Sequence, residues 1–136
     1  MKKKAVIFGV TGQDGSYLSE LLLEKDYYVI GVSRRTSTPN TSRISHLLDN
    51  KNFLLESGDV LDFASIHDIL WRHNADEVYN LSAQSHVGIS FKQPLVTWDI
   101  TAKGCLNILE AIAKLSSKPR FYQASSSEMF GDQYTT

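Results

Sequence analysis

Three glycines, Gly9, Gly12 and Gly15, stand three residues apart between an apolar run and a stretch of helical periodicity. A turn of this kind suits a pyrophosphate. Without Cβ atoms the backbone can bend tightly and approach the phosphates, and the following helix presents free N–H groups and the positive end of its dipole. The context supports the reading, because the turn follows a buried-type strand, Ala5-Val6-Ile7-Phe8, and precedes an amphipathic helix. Dinucleotide binding is therefore the first chemistry to consider.

The other candidates fall where chain segments leave strands. Arg34 and Arg35 end a second apolar run, where an adenosine ribose would lie. An acidic residue there would bind the 2′-hydroxyl of NAD, whereas arginine pairs with the 2′-phosphate of NADP, so NADP is the expected cofactor. A solvated arginine pair is the plainer alternative. Asp59, after a third strand, is either an acceptor for the adenine amino group or a turn residue. Leu81, Ser82, Ala83, Gln84 and Ser85 leave a fourth strand through mostly small residues, which lets backbone approach a nicotinamide ribose. Ser125, Ser126, Ser127 and Glu128 leave a fifth. Serines after strands are usually turn formers, and Glu128 alone would pass as a surface charge. Their weight comes from convergence on one edge of an α/β sheet, where such folds bind ligands.

The four histidines, at 46, 67, 73 and 86, show no metal spacing, and no metal site is expected. His67 and His73 read as solvated, whereas His86 follows strand four near the expected site. Trp71 and Trp98 read as packing residues.

These groups need a scaffold, and the pattern supplies alternating strands and helices. Strands are expected at 3–10, 27–33, 53–57, 77–81 and 120–124. Helices are expected at 16–25, with Leu18, Leu21 and Leu22 inward, and at 63–73, capped by Asp62 and closed by Asn74. A short helix is expected near 43–48 and a long one from Pro94 to about Ser116. The polar stretch Arg34 to Ser42 is a loop. This alternation predicts an α/β fold, a Rossmann-type doubly wound parallel sheet of order 3-2-1-4-5, truncated after strand five. Residues 1–136 read as the N-terminal portion of one nucleotide-binding domain.

A hydrophobic fraction of 42% and a net charge of −1 fit a globular chain with no general attraction to nucleic acid or an anionic membrane. No stretch reaches bilayer-spanning length, and the single cysteine, Cys105, fits a reducing compartment, so a cytoplasmic location is expected.

The run Gly9-Val10-Thr11-Gly12-Gln13-Asp14-Gly15-Ser16-Tyr17-Leu18, the Arg34-Arg35 pair, Glu77-Val78-Tyr79-Asn80-Leu81 and Arg120-Phe121-Tyr122-Gln123-Ala124-Ser125 together resemble the GDP-mannose 4,6-dehydratase family of extended short-chain dehydrogenase/reductases. The resemblance implies NADP contacts at Gly9 to Asp14, Arg34, Asp59, Val60 and Leu81 to Ser85, a catalytic hydroxyl at Ser126 and a catalytic carboxylate at Glu128. It implies GDP-mannose as substrate and a homo-oligomer, dimer or tetramer, with the loop 36–43 and the long helix at subunit contacts. Three positions depart from the family pattern: Ser126 replaces a usual threonine, Ser82 a glycine or alanine, and Cys105 a threonine. The family's Tyr-x-x-x-Lys pair would lie beyond residue 136, so the segment itself is expected to bind rather than catalyse. Alternatives are a sugar-nucleotide epimerase or 4-ketohexose reductase on the same fold, or a non-catalytic nucleotide-binding module.

Overall fold

Ala5, Val6, Ile7 and Phe8 are all fully or almost fully buried, and a strand apolar on both faces belongs in the middle of a parallel sheet. The computed structural model, which describes residues 1–38 and 40–131 and only the backbone of Ser127 and Glu128, places it there. Strands β1 (Lys4–Phe8), β2 (Tyr28–Ser33), β3 (Phe53–Ser57), β4 (Glu77–Asn80) and β5 (Arg120–Gln123) form one parallel sheet in the order β3-β2-β1-β4-β5. The expected fold class and strand order are both met.

Alternate residues of the central strands face two separate cores. Ala5, Ile7 and Val29 meet Leu22 of helix α1 (Gln13–Glu24) and Ile44 and Leu47 of a 3-10 helix (Ser42–Leu47). Val6, Phe8, Ile30 and Val78 meet Ile66, Ile69 and Leu70 of helix α2 (Phe63–His73), and Ile108 and Ala111 of a later helix. Period-two alternation thus builds both layers. Helix α2 has the expected ends: the Asp62 side chain accepts from the Ala64 N–H at 3.1 Å, and Asn74 closes it in the left-handed conformation at φ 45°.

Several expectations need correction. Helix α1 starts at Gln13 rather than 16, because the glycine turn itself supplies the N-cap. Leu21 is exposed, since Gly15, Ser19 and Leu22 define the inward face. The long helix from Pro94 is three pieces: α4 (Pro94–Trp98), a π-helical turn (Asp99–Lys103) and α5 (Gly104–Lys114). The wide turn brings Gly104 against Val60, where a Cβ would lie 2.8 Å from the Val60 side chain. A helix α3 (Val87–Lys92), absent from the pattern reading, precedes it because His86 Nδ1 accepts from the Ile89 N–H and caps it. Trp71 and Trp98 are 68% and 66% exposed and are not packing residues. His73 is not solvated: its Nε2 lies 2.9 Å from a Glu56 carboxylate oxygen, with the side chain only 15% exposed.

One charged side chain begins a central strand. Glu77 is 4% exposed, in register with Ala5 and Arg120. Its carboxylate accepts from the Tyr79 hydroxyl at 2.6 Å, the Tyr27 hydroxyl at 3.2 Å and the Arg120 guanidinium. Burial alone would raise its pKa, but the hydrogen bonds from Tyr79, Arg120 and Tyr27 and the arginine charge outweigh this and lower it. Burial, together with the hydrogen bond to Glu77, pushes the Tyr79 hydroxyl up to about 12.

Because the folded pKa of Glu77 lies below its ordinary 4.5, its stabilising contribution is present above that pH and is lost as pH falls below it. Urea midpoints should therefore be level near neutrality and decline below about pH 4.5. Glu77→Gln should unfold more readily at pH 7 and show a shallower acid decline. The remaining slope would come from Glu56, also lowered by Arg72 and His73. Identical acid slopes in the two proteins would contradict this assignment.

Candidate functional site

Phe8, Asn80 and Gln123 are register partners across β1, β4 and β5, and Phe8 also pairs with Val32 on β2. The chain therefore leaves the sheet at Gly9, Leu81, Ala124 and the segment after Ser33 along one edge. Sequence candidates scattered over 120 residues meet there because parallel strands put all their carboxyl ends on one side.

The glycine turn is held by its own backbone. The Gly9 N–H donates to the Val32 carbonyl at 3.2 Å, Gly12 to the Gly9 carbonyl at 3.1 Å and Ser16 to the Gly12 carbonyl at 3.0 Å. Gly9 has φ +79°, and a Cβ there would lie 2.9 Å from the carbonyl of Leu81 and the nitrogen of Ser82. Gly15 is buried, and its Cβ would meet the Gly9 carbonyl oxygen at 2.5 Å, so its role is close packing of helix on strand. Gly12 is the N-cap and brings no capping side chain. The first amides of α1 lack intrahelical acceptors by helix geometry and suit an anion. Val10 is fully buried, which leaves only its backbone for a ligand, whereas Gln13 and Asp14 are exposed.

Arg34 and Arg35 are both exposed beyond β2. Asp59 behaves as a turn residue in this state: one carboxylate oxygen accepts from the Leu61 N–H at 2.9 Å. Val60 is buried, and its carbonyl accepts from Asn107 Nδ2 at 2.9 Å, a tie from α5 absent from the sequence reading. In the loop after β4, Gln84 is engaged with His86, accepting from its N–H at 2.6 Å and donating to its carbonyl at 3.1 Å. His86 itself caps α3, so its place near the site is structural.

Beyond β5, Ser125 has φ +59° and its hydroxyl donates to the Met129 sulfur at 3.3 Å. That turn leads through exposed Ser126 into a 3-10 helix, Ser127–Phe130. The Glu128 side chain lies outside the described residues, as does Tyr134. Between α1 and the ends of β4 and β5, a hollow of about 330 Å³ is lined by Asp14, Leu18, Tyr79, Leu81, Tyr122 and Ala124. Among the described residues no group of three or more histidine, cysteine or carboxylate side chains could hold a metal, and no helix is long and apolar enough to cross a membrane.

Two amides escaped the sequence reading. Asn80 is 1% exposed, donates from Nδ2 to the Gln123 side-chain oxygen at 2.7 Å, and accepts from the Ser82 N–H at 3.1 Å. The available signal was a polar residue closing each of two adjacent strands.

A doubly wound parallel sheet with a glycine turn at its carboxyl edge defines the Rossmann-type class. The UDP-Glc/GlcNAc 4-epimerase of Campylobacter jejuni superposes with a TM-score of 0.87 at 20% identity, over 98% of this chain and 40% of that one. A UDP-glucose 4-epimerase from Brucella ovis gives 0.83 at 21%, over 98% and 38%. At those identities the likeness is one of fold. Sequence comparison is narrower: the GDP-mannose 4,6 dehydratase family matches residues 6–136. The GDP-mannose 4,6-dehydratase of Vibrio cholerae is 51% identical across 96% of this chain, and GDP-mannose 4,6 dehydratase 2 of Caenorhabditis elegans 46% across 96%. The chain belongs to the GDP-mannose 4,6-dehydratase family. It spans 37% and 36% of the length of those two relatives.

The glycine geometry predicts an order of stabilities. Gly9→Ala combines a left-handed φ with a backbone clash and should cost roughly 1–3 kcal/mol. Gly12→Ala should cost less, because its Cβ would meet only the Gly9 carbonyl oxygen at 3.3 Å. Urea denaturation of the two variants checks this, and the reverse order would contradict the close approach of Leu81 and Ser82 to Gly9.

Proposed function

We propose that the complete protein containing this segment is an NADP-dependent GDP-mannose 4,6-dehydratase, and that residues 1–136 form the front of its nucleotide-binding domain. The observation that carries the reading is 51% identity to the Vibrio cholerae enzyme over 96% of the segment. The glycine turn also fits the cofactor, because α1 opens on Gly12, a cap with no side chain, which leaves its first amides for a phosphate. Gly9 to Gly15 would hold the pyrophosphate, Arg34 and Arg35 the 2′-phosphate, Asp59 and Val60 the adenine, and Leu81 to Ser85 the nicotinamide ribose. For Asp59 this requires its carboxylate to serve an adenine amino group beside the Leu61 N–H.

The bound nicotinamide would accept hydride from C4 of the mannose and return it at C6. The residues of this chain would manage charge and protons. The Ser126 hydroxyl would hydrogen-bond the developing charge on the C4 oxygen. Oxidation at C4, with the hydroxyl proton taken by a base elsewhere in the complete protein, acidifies the C5 proton. Glu128 would remove it and pass a proton to the C6 hydroxyl, which would leave as water. C5 would take up a proton again as hydride is added at C6. The product is GDP-4-keto-6-deoxymannose. We further propose a cytoplasmic homo-oligomer. Its support is a set of exposed apolar side chains on α3, α4 and α5, with Phe91 82%, Leu95 78%, Trp98 66% and Leu106 56% exposed. These would be poor surface residues for an isolated subunit.

Cofactor choice tests the arginine assignment. The protein should bind NADP more tightly than NAD by calorimetry, and Arg34→Asp should abolish or reverse that preference. Equal affinities in the wild type would remove NADP from the proposal. The proton step tests the reaction. Glu128→Gln should leave NADP and GDP-mannose binding nearly intact and slow elimination by roughly 10² to 10⁴. Ser126→Ala should instead slow the appearance of reduced nicotinamide in a single turnover. Loss of turnover in Glu128→Gln with deuterium exchange at C5 undiminished would assign the C5 proton to another residue.

A further inference from the structure

The amide pair at the ends of β4 and β5, Asn80 buried and Gln123 half-buried, lies between the two loops that the proposed reaction needs. Asn80 and Gln123 are register partners, and the Asn80 carbonyl accepts from the Ala124 N–H at 3.1 Å. Their side chains then add a second tie, from Asn80 Nδ2 to Gln123 Oε1 at 2.7 Å. The remaining acceptor of Asn80 holds the Ser82 N–H. That amide belongs to the Leu81–Ser82 peptide, which lies where a Gly9 Cβ would be, 2.9 Å away. A continuous set of contacts therefore runs from the phosphate turn, through the β4 loop, to the corner that carries Ser126.

We infer that Asn80 and Gln123 are a positioning pair that fixes the β4 loop and the corner after β5 relative to each other. The inference rests on the proposed assignment of those loops to cofactor and substrate. A single amide is too short to serve two loops unless both of its ends are engaged, and Asn80 uses its oxygen for one and its nitrogen for the other. An aliphatic side chain at 80 would leave the Ser82 N–H without this acceptor. One at 123 would leave a buried amide donor without its partner, a cost that loosens the local structure. Small displacements of a hydroxyl relative to a bound cofactor cost rate out of proportion to their size. The pair touches neither reacting atom and acts through Ser82 and Ser126.

The roles of the two amides are unequal, and the test uses this. In the complete protein, Gln123→Met should lower kcat about tenfold, the worth of one lost buried hydrogen bond, with NADP affinity and KM for GDP-mannose little changed. Gln123→Glu keeps an acceptor for Asn80 and should restore most of the rate. Asn80→Ala also frees the Ser82 amide, so NADP affinity should fall together with kcat, whereas Asn80→Asp should retain that affinity. Deuterium exchange of the unliganded proteins gives a readout independent of activity. The peptide covering residues 81–86 should exchange faster in Gln123→Met and near the wild-type rate in Gln123→Glu. If Gln123→Met fails to fold, Gln123→Asn, one methylene short of contact, takes its place with the same expected losses. A Gln123→Met protein with wild-type kcat and wild-type exchange would overturn the pairing role. A wild type that turns over no GDP-mannose would instead overturn the proposed function, and the exchange rates would still decide the pair.

Discussion

The arrangement of the carboxyl edge depends on one close approach: the Leu81–Ser82 peptide lies on Gly9 where any other residue would place a Cβ. Two backbones in such contact leave no room for adjustment, so the first glycine of the turn and the first peptide beyond β4 must move as one. Gly15 makes the second such contact, against Gly9 and Val10, and draws the start of α1 onto the same point. The glycine turn is thus a three-way junction of β1, β4 and α1. Its shape is set by absent side chains as much as by present ones.

Polar groups sit at both ends of β4, and they serve different purposes. At the amino end Glu77 gathers Tyr27, Tyr79 and Arg120, three segments far apart in the chain, around one carboxylate. Arg120 is largely exposed, so much of its charge is screened, and the tyrosine hydroxyls carry the more specific part of the contact. At the carboxyl end Asn80 performs an equivalent gathering with a neutral amide. The intervening Val78 is completely buried and supplies the apolar anchor between them.

The opposite flank is less regular for a physical reason. A helix of ordinary pitch from Pro94 would carry one face past the sheet, whereas the π-helical turn at Asp99–Lys103 resets the phase so that Gly104, Ile108 and Ala111 face inward. The same resetting leaves Leu106 and Leu109 outward.

The sequence by itself determined whatever depends on near neighbours. The alternation of strand and helix patterns marked all five strands, Asp62 and Asn74 marked the ends of α2, and three glycines after a buried strand marked the tight turn between β1 and α1. In each case the deciding interaction spans a few residues and can be read from spacing. Only the tertiary structure decided what depends on partners far along the chain. Asn80 meets Gln123 across 43 positions, and Asn107 reaches Val60 across 47. His73 passes for a surface residue until β3 brings Glu56 beside it, and Trp71 and Trp98 pass for core until the helices take their phase. Residue type states what a side chain can bond to, but burial and hydrogen-bond partner are properties of packing, which no local spacing encodes.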